Sequence, residues 1–421
     1  MFGEIEKFAI STSVDEKITP VVSEILKDVK NNGDQALLER TLLYDKANLN
    51  KSDLRVSIKE IQNAHSCLSP KQKIAIEQAV ENVTLFHKQN LPQNWQSTNS
   101  HGALIGENYY PIRRVGLYIP GGNVPLVSTV IMTATLAKVA GVNEIAVATP
   151  PNANGKIATE ILAALEILGI QEVYKIGGAQ AIGALGFGTH TIKSVDKIFG
   201  PGNAFVNEAK RQVFGTAGID LLPGPSEVMV IADESADPSF IAAALIAQAE
   251  HGSGKEKLYL IFTDSSQFKK INLEIIMQAQ DLSHKDSILE IFNKGFLAIH
   301  AKNLEDIVSV ANFVAPEHLE LQVKDENIPY LQRNINTAGA LLLGHFSATA
   351  LGDFVAGPSH VLPTGRSSRF SSGLRIEDFF RRTSIIKYDK HSLEKASQSA
   401  LLFSEMENLD GHGNSISIRL K

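Results

Sequence analysis

From Val115 onward, short apolar runs alternate with helical stretches, and that alternation constrains the fold more than any other feature of the chain. RRVGLYIPGG is followed by the small-residue helix STVIMTATLAKVAGV, the strand EIAVATPP, the helix TEILAALEILG and the strand EVYKI. Strands of a parallel sheet are buried on both faces and read as continuous apolar runs, so this succession predicts a parallel sheet covered by helices. A second such stretch follows Ser226: the strand EVMVIAD, a helix from about Pro238 to Glu250, the strand KLYLIFTD, and further units up to GALLLG. The expected class is α/β, with two Rossmann-like doubly wound domains in tandem that resemble duplicated units. A helical N-terminus and a small C-terminal segment flank them.

Helical spacing of Val22, Ile25, Leu26, Val29, Leu37 and Leu38 predicts a helical pair from Thr19 to about Tyr44, broken at Asn31-Asn32-Gly33-Asp34. A third helix is expected from Pro70 to Lys88. With 421 residues the chain is long for a single core. Residues 1–117 read as the helical segment and the first part of domain 1, and 118–226 as a nucleotide-binding domain 2. Residues 227–372 read as the remainder of domain 1, and 373–421 as a tail that docks onto something larger.

A net charge of -6, dispersed along the chain, is not the footprint of a nucleic-acid binder, so a small molecule is the expected ligand. The single cysteine, Cys67, excludes both a disulfide framework and a cysteine-rich metal site. The N-terminus mixes charges where a secretory signal would be basic and then apolar, and no run is long enough to span a bilayer. A cytoplasmic protein is expected, without membrane association.

Glycines stand where the predicted strands end: Gly121-Gly122, Gly177-Gly178 and Gly200-Pro201-Gly202. Crevices at such strand ends bind nucleotides, although the GxGxxG fingerprint with its downstream acid is missing. Gln248 and His251, three apart at the end of an apolar helix, share one helical face. Glu317 and His318 follow Pro316, a pattern equally suited to an ordinary helix opening. Gly352 to Thr364 packs Asp353 and His360 among glycines and prolines in a loop, where functional groups concentrate. Glu407 and His412 lie in a polar tail before an expected short strand, ISIRL.

Together these segments resemble the histidinol dehydrogenase family over almost the whole chain. The likeness rests on RRVGLYIPGG, GGAQAIGALGFGT, KIFGPGNAFVNEAKR, GPSEVMVIAD, AQAEHG, APEHLEL, GDFVAGPSHVLPT, SGLRIEDF and HGNSISIRL, in family order. The resemblance implies an NAD-dependent, zinc-dependent enzyme that oxidises L-histidinol through L-histidinaldehyde to L-histidine, the last step of histidine biosynthesis. It makes Gln248, His251, Asp353 and His412 the ligands of one zinc per subunit, and Glu317 and His318 the acid–base pair. It makes Ser226 and Glu407 substrate contacts, joined by His318 and the four zinc ligands, and Tyr118, Gln180 and Asn203 NAD contacts. It also implies a homodimer whose tails complete each other's sites. Two departures flank the site: Pro223 stands where the family commonly has alanine, and GSGKEK follows His251 in place of a proline-containing run. A zinc hydrolase would use a similar donor set and a glutamate base but leaves the glycine-rich strand ends unexplained. A non-catalytic metabolite-binding protein of the same architecture is the other alternative.

Overall fold

In a computed structural model of the chain, residues 2–10, 17–121, 125–251 and 254–421 are described. Gly122 and the first two residues of GSGKEK, Gly252 and Ser253, lie outside them. After α1 (Phe2–Ile10), the expected helical pair forms as α2 (Ile18–Asn32) and α3 (Asp34–Asp45), separated by Gly33 at φ 53°. Helices α4 (Ile58–Cys67) and α5 (Pro70–Lys88) follow, the latter opened by Ser69, whose side chain accepts from the Gln72 N–H in a capping box. Strands β1 (Trp95–Thr98) and β2 (Leu104–Pro111) form an antiparallel hairpin.

The first α/β unit runs β3 (Arg114–Tyr118), α6 (Val127–Val139), β4 (Glu144–Thr149), α7 (Thr159–Ile167), β5 (Val173–Lys175), α8 (Gly178–Phe187), β6 (Lys197–Phe199), α9 (Ala204–Val213) and β7 (Gly218–Ile219). All its strand pairs are parallel, in the order β5-β4-β3-β6-β7. The side chains of β3 alternate between two cores: Val115 and Leu117 pack with α6 and α7, while Tyr118 packs with α2, α3, α8 and α9. The unit is thus doubly wound, and its strand order reverses between β3 and β6.

The second unit runs β8 (Glu227–Ala232), α10 (Pro238–Ala249), β9 (Lys257–Phe262), α11 (Phe268–Ala279), α12 (Lys285–Lys294), β10 (Phe296–His300), α13 (Leu304–Val314), β11 (His318–Gln322), α14 (Ile328–Asn334), β12 (Ala340–Leu343) and α15 (Thr349–Phe354). Its order, β10-β9-β8-β11-β12, repeats that of the first unit strand for strand, again all parallel. Every residue of β8, β9 and β11 is buried, which is why β8 and β9 read as apolar runs after their first residue, whereas β11, HLELQ, alternates buried polar residues with leucines. Helices α10 to α12 cover one face and α1, α13 and α14 the other.

One expectation for the tail fails, the short strand over ISIRL. Strand β13 (Phe380–Lys387) adds to β2 antiparallel, so the tail is tied to the N-terminal hairpin. The chain then forms α16 (Lys390–Met406) and α17 (Asp410–Ser417), and the strand expected over ISIRL is instead the end of α17 and a turn. Packed against α16, that stretch closes its own backbone hydrogen bonds, such as Ile418 N–H to the Asn414 carbonyl.

Candidate active site

The glycine-rich strand ends converge on the carboxyl edge of the first sheet. Tyr118 closes β3 with its hydroxyl inside the fold, where it accepts a hydrogen bond of 3.1 Å from the Gly178 N–H at the start of α8. Burial pushes this phenol up to about 12. Gln180 sits in the first turn of α8, 1% exposed, and its Oε1 has no hydrogen-bond partner. Asn203 caps α9, accepting from the Phe205 and Val206 N–H groups at 3.0 and 3.1 Å. The expected dinucleotide contacts therefore all lie at the carboxyl edge of this sheet, Tyr118 at the end of β3 and Asn203 just beyond β6, the two strands between which its order reverses.

The loop between them is held from inside. Gly200 has φ 114°, and a Cβ there would overlap the Tyr118 carbonyl oxygen, so only glycine fits. Its N–H donates to Asp220 Oδ2 at 2.8 Å, while the ammonium of Lys210 donates to the Gly200 carbonyl at 2.9 Å, to the Leu221 carbonyl at 2.8 Å and to Asp220 Oδ1. Both charged side chains are fully buried. Neither was marked by the sequence, because a lysine and an aspartate ten apart around a turn carry no distinguishing spacing.

The second cluster forms at the opposite kind of edge, where strands begin. Helix α13 ends at Ala315 in the left-handed region (φ 51°), and Pro316 and Glu317 lead into β11, so the segment opens a strand and not a helix. Glu317 and His318 are 6% and 5% exposed. The Glu227 N–H at the start of β8 donates to Glu317 Oε2 at 2.8 Å, and His318 Nδ1 lies 3.9 Å from the same oxygen. Ser226 stands just before β8, its carbonyl taking the Lys257 N–H at 3.1 Å.

Asp353 comes to His318 from α15. The Thr349 N–H and hydroxyl both donate to Glu320 Oε1, at 2.6 and 2.7 Å, which pins the start of α15 to β11. The helix then returns Asp353 to within 3.3 Å of His318 Nε2. Gln248 lies in the last turn of α10, buried, with Nε2 unpartnered, and His251 follows just beyond the helix, exposed. His251 and His360 both bear electrostatically on Asp353, and the His360 ring meets the Asp353 carbonyl at 2.8 Å.

Charge follows from this packing. Burial pushes the Glu317 carboxyl up to about 8, with the nearby His318 charge opposing it only in part. Burial alone would favour neutral His318, but the hydrogen bond to Asp353 and the carboxylates around it push the imidazole up to about 9. Burial likewise opposes ionisation of Asp353, and the His318 hydrogen bond and surrounding histidine charges hold it below the usual carboxylate range. Glu227, which the sequence did not single out, is 2% exposed, has an unpartnered Oε2, and is pushed by burial up to about 7.

The two clusters are joined by residues 220–226, which leave β7 at the carboxyl edge of one sheet and enter β8 at the amino edge of the other. Seven extended residues reach at most about 24 Å, and the link is drawn in further. The Asn207 side chain donates to the Pro223 carbonyl, and the Gly224 N–H donates to the Thr364 hydroxyl. Glu407 and His412 are not brought to this place. Both are exposed on the α16–α17 hairpin, which packs chiefly on itself.

The histidinol dehydrogenase family model matches residues 9–420. The chain belongs to the histidinol dehydrogenase family. It is 40% identical over 405 residues to the histidinol dehydrogenase of Clostridium acetobutylicum, covering 96% of this chain and 93% of that one. It is 41% identical over 407 residues to that of Lactiplantibacillus plantarum, with the same coverage. The crystal structure of histidinol dehydrogenase from Elizabethkingia anophelis superposes with a TM-score of 0.92 at 35% identity, over 96% of this chain and 93% of that one. Membership makes the chain an oxidoreductase of histidine biosynthesis and agrees with its paired α/β units. No helix among the described residues is long and apolar enough to cross a membrane.

Proposed function

We propose that the chain oxidises L-histidinol to L-histidine through L-histidinaldehyde, using two NAD+ and one zinc per subunit, in the cytoplasm. The observation that carries this reading is the presence, in a chain of this family, of two clusters joined by one short link. Buried Glu317 and His318 lie at the start of β11, and Tyr118, Gln180 and Asn203 lie at the strand ends to which residues 220–226 connect them.

The donor set fits zinc. Gln248, His251 and Asp353 offer an amide oxygen, an imidazole nitrogen and a carboxylate held ionised, ligand types that zinc accepts. Among the described residues no group of three His, Cys, Asp or Glu side chains stands close enough to hold a metal. We assign His412, with Glu407 as a substrate contact, to the site of a partner subunit in a homodimer, because both are exposed on a hairpin that packs mainly on itself. Zinc there supplies a fixed positive charge that orients an amino alcohol. NAD+ would supply the hydride acceptor, one molecule for each of the two oxidations.

The chain's own groups handle the protons. Zinc held by Asp353 would draw on the carboxylate that keeps His318 protonated; in the neutral form, which burial favours, the His318 imidazole takes the proton from the substrate hydroxyl. Glu317, held by the Glu227 N–H and shielded from solvent, is placed to take the proton of the water that adds to the aldehyde. His318 again accepts the hydroxyl proton before the second oxidation. Absorbance at the NADH band with L-histidinol present and absent tests the reading: two NADH per histidinol are expected. No NADH, with hydrolysis or binding alone, would replace it with one of the other readings.

A further inference from the structure

One carboxylate at the edge of the first sheet plays no part in the mechanism above. Helix α3 packs against α8 and runs antiparallel to it. At the start of α3, Asp34 accepts from the Thr191 N–H and hydroxyl at 3.1 and 2.7 Å, just beyond the end of α8. Twelve residues at about 1.5 Å each then carry the chain back along α8. Asp45, the last residue of α3, therefore arrives at the beginning of α8, where Gly178, Gln180 and Tyr118 meet. The chain beyond it confirms the placement: the Lys175 N–H at the end of β5 donates to the Leu54 carbonyl, and the Val56 N–H donates to the Val173 carbonyl. Residues 54–56 thus set out from the carboxyl edge and run antiparallel to β5.

Asp45 Oδ2 is sealed from solvent and has no hydrogen-bond partner. Its charge reaches the Tyr118 hydroxyl. Gln180 Oε1, at the same edge, is also buried and without a partner. Both orphans are acceptors, so what they lack is a donor. A carboxylate left unpartnered inside a protein is costly, and burial pushes this one up to about 6. Pairs of hydroxyls on a ribose supply such donors, and dinucleotide enzymes set an acidic side chain against the ribose 2′-hydroxyl at the carboxyl edge of the sheet. The usual source of that acid, a residue downstream of a GxGxxG turn, is missing from this chain; a helix that precedes the sheet delivers one to the same edge.

The geometry points to Asp45 as the residue that accepts a ribose hydroxyl of NAD+ and repels a 2′-phosphate, making it the determinant of coenzyme choice. This rests on the placement of NAD+ at the carboxyl edge of the first sheet. The test uses the full-length enzyme with Asp45→Asn and Asp45→Ser beside Gln180→Ala. NAD+ affinity is measured calorimetrically without histidinol, and KM and kcat are measured for NAD+ and NADP+ with it. Loss of a hydrogen bond to a charged group predicts roughly 10- to 100-fold weaker NAD+ binding. kcat at saturating NAD+ should stay within about twofold, and the preference for NAD+ over NADP+ should narrow at least about tenfold as the repelling charge goes. Thermal melting keeps the test sound, since both substitutions remove an unpartnered carboxylate and should leave the fold intact. Unchanged NAD+ binding in both Asp45 variants, with Gln180→Ala weakened, overturns the role of Asp45 and leaves the site standing. Unchanged binding in all three overturns the location of the dinucleotide and the role of Asp45 with it.

Discussion

Replacing Glu317 with glutamine separates the two oxidations. Glutamine keeps an oxygen that accepts from the Glu227 N–H, now made at 2.8 Å, and removes a carboxyl that burial already disfavours in its charged form, so the fold should be retained. What goes is the base. A positioned general base contributes roughly 10²- to 10⁴-fold, and only the aldehyde half-reaction needs an activated water. Oxidation of histidinaldehyde should therefore fall by that factor, and the first oxidation by less than about tenfold. The pH dependence follows from the same burial. With the Glu317 carboxyl raised to about 8, only the ionised form serves as base, and it makes up about one part in eleven at pH 7 and about ten in eleven at pH 9. The wild-type aldehyde step should thus rise roughly tenfold across that interval, and the variant should lose this rise. Single-turnover NADH formation from histidinol and from histidinaldehyde, between pH 6 and 9.5, reads both effects. Equal losses in the two half-reactions, or an undiminished rise with pH in the variant, would refute the division of labour.

His251→Ala and His412→Ala should each lower zinc retention on gel filtration by about 10-fold or more, measured by elemental analysis; full occupancy in both would remove them from the donor set. Co-expressed heterodimers of His412→Ala and His318→Ala, each inactive as a homodimer, should recover about half of wild-type activity if the tail serves the partner, because one site collects both lesions. Recovery should be absent if it serves its own subunit. Lys210→Met should cost about 3–5 kcal/mol by denaturant titration, since it leaves Asp220 buried and uncompensated, and should raise the KM for NAD+ by loosening Gly200 to Gly202. Loss of under about 1 kcal/mol would show the pair to be relaxed by water.

The α/β class, the tandem units and most elements were legible in the residues because parallel strands buried on both faces are mostly apolar. KLYLIF and EVMVIA show this in every residue after the first, without help from context. Local capping rules likewise set α5, where Ser69 and Pro70 fit the start of a helix in any surroundings. The identity of the chemistry was legible too, but through the order of several motifs and not through any one of them, since Glu317 after Pro316 suits an ordinary helix opening as well as it suits a base. The tertiary structure decided the rest. It made the Pro316–Glu317 turn open a strand, and brought Asp353 to His318 through the anchoring of Thr349 on Glu320. It also recruited Lys210, Asp220, Glu227 and Asp45, whose spacing along the chain is uninformative. It turned ISIRL into helix and turn, and paired β13 with a hairpin that begins almost three hundred residues earlier. Burial, charge pairing and strand partnership are properties of what surrounds a residue, and a one-dimensional pattern carries them only where the surroundings are themselves local.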